Sequence, residues 1–225
     1  MTMLLRRHDL VWVSAEGWDG LLRQASDPEA VECLGHWLDQ RLPLVVGRQE
    51  LGRAELALGL AAPMRWKKRK LSLNVPRDRV LCQDRFPKAL DVRLLLPARL
   101  RDSWIELCGR LAGFAANPRV HGSYGWQRIT RLEYVTRRSD IDLHLSVFDA
   151  DIADGVARCL DEFRWDGPRI DGELLFPDGS AIAWREWLQW RRGQTSEVMV
   201  KRLYGVALRS DAEWLERDAS AAVTT

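Results

Sequence analysis

An α+β fold is what the sequence predicts: a small amino-terminal α/β domain followed by a mixed-sheet domain. Three observations predict it. Short apolar runs with strand character alternate with segments whose apolar residues recur three or four apart. A polar, proline-punctuated stretch interrupts the chain between Pro76 and Leu90. Beyond it, a helical pattern leads into an apolar strand broken by aspartates, and a hairpin pattern follows.

In chain order, Asp9 to Ser14 and Pro43 to Arg48 read as strands. Between them, Pro28 to Gln40 carries Val31, Leu34, Trp37 and Leu38 at helical spacing, with Asp27 as its cap and Pro28 in the first turn. The polar stretch is taken as the boundary between an amino-terminal domain, residues 1–80, and a second domain, residues 81–225. Leu100 to Ala116 places Leu100, Trp104, Leu107, Leu111 and Phe114 on one helical face. Pro118-Arg119-Val120 then reads as a strand that ends in a loop at Gly122-Ser123. A second strand contains Asp140-Ile141-Asp142-Leu143, and Ile152, Val156, Leu160 and Phe163 mark a helix beyond Asp151. Arg169 to Phe176 and Ser180 to Glu186 flank Pro177-Asp178-Gly179, the pattern of a hairpin. Trp184, Trp187 and Trp190 recur every three residues; they fit a row of core fillers better than an adenine pocket.

Composition excludes several classes. With 46% hydrophobic residues in 225, the chain can bury the core of one large or two small domains. A net charge of +2 argues against wholesale nucleic-acid binding, so anion binding must come from local patches. No run reaches bilayer-crossing length, and Asp9 arrives before a signal-peptide core could form. Cys33, Cys82, Cys108 and Cys159 are far apart, without a Cys-x-x-Cys pair, and are read as free buried thiols of a cytoplasmic protein. Arg65-Trp66-Lys67-Lys68-Arg69-Lys70 is the strongest basic run. It reads as a solvated loop, a docking patch for an acidic carrier protein, or a nucleic-acid contact.

The chemistry concentrates in the second domain. In an extended strand Asp140 and Asp142 project to one side while Ile141, Leu143 and Leu145 take the other. Burying two like charges there is costly unless a cation compensates, and magnesium, which prefers hard oxygen ligands, suits the pair better than zinc. Gly122 and Ser123 offer a small-residue turn whose N–H groups can face an anion. Asp171 and Glu173 repeat the one-apart pattern on the first strand of the hairpin. The plain alternative is a solvated strand edge paired with Arg169 or Arg185. Lys201 is a lone cation after the apolar run Val198-Met199-Val200. His144 shares the face of Asp140 and Asp142. No serine or cysteine nucleophile pattern appears.

A Gly-Ser turn followed by Asp-x-Asp on a strand resembles the nucleotidyltransferase superfamily built on a polymerase beta palm-like core. The motifs Gly122-Ser123-Tyr124-Gly125-Trp126-Gln127, Ser139-Asp140-Ile141-Asp142-Leu143, Asp171-Gly172-Glu173-Leu174, Ala183-Trp184-Arg185-Glu186 and Val200-Lys201 narrow the likeness. They are similar to the phosphoribosyl-dephospho-CoA transferases of malonate decarboxylase, its holo-acyl-carrier-protein synthases. Arg6 to Trp12 and Pro43 to Arg48 look like the amino-terminal domain of that family. The resemblance implies two magnesium ions on Asp140, Asp142 and a third acid, for which Asp171 is the first choice, as base or metal ligand, and Glu173 its rival; it puts the triphosphate at Gly122 and Ser123, with Lys201 the candidate cation for the departing pyrophosphate. It implies 2'-(5''-triphosphoribosyl)-3'-dephospho-CoA as donor and a serine of the acyl-carrier subunit as acceptor, with pyrophosphate released. Sixteen residues lie between Ser123 and Asp140, more than the superfamily pattern leads one to expect, which implies a longer loop or an extra turn. Two other readings stay open: a nucleotidyltransferase using an ordinary nucleoside triphosphate on another acceptor, and a noncatalytic module binding through residues 65–70.

Overall fold

The computed structural model describes residues 4–210 and divides into two compact units. The first runs to Phe86 and takes in Ile129–Tyr134; the second comprises Pro87–Arg128 and the chain from Val135 onward. Each contains helices and one sheet, so the fold is α+β.

In the first unit β1 (Leu10–Val13), β2 (Leu44–Val46), β3 (Glu55–Ala61), β4 (Lys70–Pro76) and β5 (Val80–Asp84) form an antiparallel sheet in the order β4-β3-β2-β1-β5. Two helices, α1 (Ala15–Gln24) and α2 (Pro28–Asp39), lie between β1 and β2 in sequence. Ser14 caps α1 by accepting from the Gly17 N–H, and Asp27 caps α2 by accepting from the Glu29 N–H at 3.2 Å, with Pro28 in its first turn. Both caps satisfy donors that helix geometry would otherwise strand. Trp37, fully buried, donates its indole N–H to the Pro43 carbonyl at 3.2 Å, which fixes the end of α2 against the start of β2. The polar stretch after Pro76 is ordered: Val80–Asp84 pairs antiparallel with β1.

The basic run sits in this unit, and its charge is largely used locally. Arg65 pairs with Glu32 at 2.7 Å, Lys67 with Glu29 at 2.6 Å, and Arg69 with Asp27 and Glu29. Arg65 also lies over the Trp66 ring, 4.6 Å from its centroid. The acids of α2 and its cap thus neutralise three of the five cations.

The second unit holds a six-stranded sheet in the order β11-β10-β9-β8-β7-β6. Its strands are β6 (Arg119–His121), β7 (Ile141–Ser146), β8 (Ile170–Leu175), β9 (Ala181–Ala183), β10 (Val198–Arg202) and β11 (Gly205–Arg209). Only β7 and β8 are parallel, joined through the crossover helix α5 (Ala150–Glu162); the other pairs are antiparallel. One sheet face, with Val120, Leu143, Leu174, Ile182 and Val200, belongs to the core shared with α3 (Arg101–Gly113), α5 and α6 (Trp184–Arg191). Trp184 and Trp187 are buried in that core and Trp190 packs against it, as the core-filling reading expects.

Two elements depart from the sequence expectation. Gly122 and Ser123 do not open a loop; they begin α4 (Gly122–Thr130), which buries Tyr124 and Trp126. The strand expected to reach Glu186 stops at Ala183, and the tryptophan row is helical because the i, i+3 spacing buries Trp184 and Trp187 together. Among the described residues no helix is long and apolar enough to cross a membrane.

Candidate active site

The face of the second sheet opposite the helices carries the polar chemistry, and strand register decides which groups meet. Across β6, β7 and β8, His121 stands opposite Asp142 and Asp142 opposite Asp171. One step along, Arg119 stands opposite His144, His144 opposite Glu173, and Glu173 opposite Ala183. Residues opposite one another share a face, so two cross-strand rows lie side by side. Asp140 lies one residue before β7, following a tight turn in which the Thr136 N–H donates to Ser139 Oγ at 2.9 Å and the Ser139 N–H to the Thr136 carbonyl at 3.1 Å.

Parallel pairing brings the two aspartates together. Because β7 and β8 run the same way, Asp142 and Asp171 sit at matching positions near the start of each strand, with the Ile141 N–H donating to the Arg169 carbonyl at 2.8 Å beside them. Burial pushes the Asp142 carboxyl up to about 6, and the negative charges of Asp171, Asp140 and Glu173 add to the shift. Each cause disfavours the ionised form, so the cluster holds more negative charge than its surroundings compensate.

Two glycines make this approach possible. Gly122 has φ +60°, and a Cβ at that position would overlap the Asp142 carboxylate. The first residue of α4 is therefore fixed as glycine both by its backbone and by the acid beside it. Gly172, between Asp171 and Glu173, has φ +154°, and a Cβ there would run into the Leu143 backbone on β7. Its bare Cα lets β7 and β8 close in the register that aligns the acids.

The two candidates for the third acid are placed differently. Asp171 accepts from the Gly172 N–H at 3.0 Å and lies 3.4 Å from Arg169, with 35% of its side chain exposed. The expected Arg169 pairing is thus present but loose. Glu173 is almost buried and is bound to Lys201 at 2.8 Å. Lys201 stands opposite Ala181 and Glu173 opposite Ala183, so small side chains on β9 let the pair reach across the intervening strand. The lysine expected to meet pyrophosphate is therefore engaged by Glu173. Ser123, partly buried, follows Gly122 in the first turn of α4. Sequence reasoning missed the stacking of His121 on His144, with ring centroids 4.0 Å apart and planes 22° from parallel. Only the β6–β7 register reveals it, since the two residues are far apart along the chain.

As a donor set these groups are hard carboxylate oxygens on one floor, chemistry suited to a divalent cation such as magnesium. Among the described residues the carboxylates do not bring three ligand oxygens within 4.8 Å of one another.

Two family models describe the chain: the phosphoribosyl-dephospho-CoA transferase MdcG N-terminal domain matches residues 6–83, and the MdcG C-terminal domain matches residues 88–212. The chain belongs to the MdcG family. A phosphoribosyl-dephospho-CoA transferase of Bradyrhizobium diazoefficiens is 35% identical over 208 residues, covering 90% of this chain and 88% of the relative. One from Xanthomonas euvesicatoria pv. vesicatoria is 33% identical over 203 residues, covering 87% and 89%. No solved structure gives a significant match. MdcG membership makes the chain a transferase enzyme, and every acid of the floor lies within the span matched by the carboxy-terminal model.

Proposed function

We propose that the chain transfers the 2'-(5''-phosphoribosyl)-3'-dephospho-CoA group from its triphosphate precursor to a serine of the acyl-carrier subunit of malonate decarboxylase, releasing pyrophosphate. The observation that carries the chemistry is the register of Asp142 opposite Asp171 on parallel strands, with Asp142 against the Gly122 turn. The similarity to named transferases along nearly the whole chain supports the choice of transferred group.

On this reading Asp140, Asp142 and Asp171 would hold magnesium, as two ions. When bound, the metal supplies positive charge to the triphosphate and lowers the pKa of the attacking hydroxyl. The backbone N–H groups of Gly122 and Ser123, at the start of α4 and beside the Asp142 carboxylate, would meet the phosphates. The serine oxygen forms a bond to the phosphorus nearest the ribose as the bond from that phosphorus to the bridging oxygen breaks. Pyrophosphate leaves, and Asp171, the more exposed acid, takes the serine proton. Lys201 holds the Glu173 carboxylate on β8. Most of the catalytic work is positioning and charge neutralisation. A cytoplasmic setting belongs to the proposal and is supported by four unpaired cysteines; Cys33 and Cys108 are buried as expected, Cys159 is half-buried, and Cys82, on β5, is exposed contrary to expectation.

Intact-protein mass spectrometry tests the assignment. Apo acyl-carrier subunit is incubated with the chain, magnesium and the triphosphoribosyl donor, alongside Asp140→Ala and Asp142→Ala variants. The expected result is a mass gain equal to donor minus pyrophosphate, absent in both variants. No gain with competent donor and carrier would refute the acceptor assignment and direct the search to ordinary nucleoside triphosphates.

A further inference from the structure

Two arginines at the end of helix α6 are spent on α5. Arg191 bonds Asp154 at 2.7 Å and Arg192 bonds Asp161 at 2.7 Å. Arg185, in the first turn of α6, differs. It donates one guanidinium N–H to the Ile170 carbonyl at 3.1 Å, and its guanidinium carbon lies 4.1 Å from the centroid of the Trp184 ring. Its Nε is buried without a hydrogen-bond partner, and among the described residues no carboxylate lies within 4.0 Å of it.

The anchor point locates this cation. Ile170 immediately precedes Asp171 on β8 and stands opposite Ile141, the residue between Asp140 and Asp142. The guanidinium is therefore held beside the start of β8, next to the residue that precedes Asp171, reaching there from α6 on the core side of the sheet whose other face carries the acids. Three cations on or beside this sheet are paired with carboxylates: Arg169 loosely with Asp171, Lys201 with Glu173 and Arg202 with Asp178. A neutral carbonyl and a ring face orient Arg185 without cancelling its charge. A guanidinium oriented by stacking and one hydrogen bond keeps its remaining N–H groups in a fixed fork, which matches the paired oxygens of a phosphoryl group.

We propose that Arg185 is a phosphoryl-binding residue of the site, contacting the polyphosphate of the donor in place of Lys201. This deepens the functional reading above and rests on it for the identity of the donor; the ligand chemistry itself is a polyphosphate. Trp184 is the positioning residue, acting through the plane of the guanidinium.

Isothermal titration calorimetry of inorganic tripolyphosphate in magnesium buffer tests this. The proteins compared are the full chain, Arg185→Gln, Arg185→Lys and, as a control on α6, Arg192→Gln. Circular dichroism and melting temperature verify the fold of each. Arg185→Gln is expected to weaken binding about tenfold or more, the size of a lost charge-assisted pair. Arg185→Lys should recover part of the loss, because charge returns without the planar fork, and Arg192→Gln should bind like the unaltered chain. If Arg185→Gln does not fold, Arg185→Lys is read instead and must still bind more weakly than the unaltered chain. Equal binding by a folded Arg185 variant, or no binding by the unaltered chain, overturns the proposal. Failure of carrier modification together with Arg185-dependent tripolyphosphate binding would instead refute the acceptor and leave the phosphoryl site standing.

Discussion

Replacing Asp142 by asparagine should make the protein more stable and inactive at once. Burial and three neighbouring carboxylates push the Asp142 carboxyl up to about 6, from an ordinary value of 3.8. A folded-state pKa above the unfolded one means the folded form binds the proton more tightly, so ionised Asp142 opposes folding. The penalty is absent below the unfolded pKa, grows as pH rises from about 4 through about 6, and is complete by about pH 8. A shift of about two units corresponds to about 3 kcal/mol, which partial solvent access reduces to about 2 kcal/mol. For a chain of this size, that raises the melting temperature by roughly 4–8 °C. Differential scanning calorimetry without divalent cations, at about pH 8 and about pH 5, checks this. Asp142→Asn should melt well above the unaltered chain at the higher pH, with the difference shrinking at the lower as Asp142 takes up a proton. On the proposed assignment of magnesium to Asp140, Asp142 and Asp171, added magnesium should stabilise the unaltered chain and not the variant, which lacks one of those ligands. A variant less stable than the parent at the higher pH, or a gain of equal size at both pH values, would refute the reasoning.

Three more perturbations follow from the same floor. Gly122→Ala places a methyl group against the Asp142 carboxylate at φ +60° and should cost about 1–2 kcal/mol in urea unfolding while abolishing carrier modification. Gly172→Ala forces β7 from β8 at Leu143; a loss of about 3 kcal/mol or more is expected, and a melting temperature within about 2 °C of the parent (~1 kcal/mol or less) would contradict the packing described. Lys201→Met leaves Glu173 nearly buried without its cation and should destabilise by about 1–3 kcal/mol, whereas the double change with Glu173→Gln should recover most of that. A double-mutant cycle on chemical denaturation gives the coupling, and a value near zero would remove Lys201 from any role in holding Glu173.

The sequence is most legible where local rules and burial agree. Helix α2 begins where Asp27 and Pro28 place it, because cap, first-turn proline and apolar spacing all point to one start. The alternation of Ile141, Leu143 and Leu145 with Asp142 and His144 is enough to identify the acidic face, since a strand has only two faces. Helix α4 is not legible in this way: Gly122, Ser123 and Gly125 are poor helix formers, and burial of Tyr124 and Trp126 overrides their preference. Nor is the division of labour between Asp171 and Glu173, which depends on Lys201 reaching from β10 past two alanines. Strand order and register are long-range facts, and the stacked histidines and the anchoring of Arg185 on Ile170 follow from them alone.

The return of Ile129–Tyr134 to the first unit bears on how the chain can be dissected. The two family models meet between residues 83 and 88, which invites a cut there. A fragment ending at Phe86 would keep all five strands of the first sheet. It would lose the Tyr134 hydroxyl that donates to the Ala61 carbonyl at 2.7 Å and the Glu133 carbonyl that accepts from the Met64 N–H at 3.0 Å. The seam between the two family modules is therefore not a seam in the folded molecule. During synthesis the first unit stays unfinished until the ribosome has passed Tyr134, well into the second.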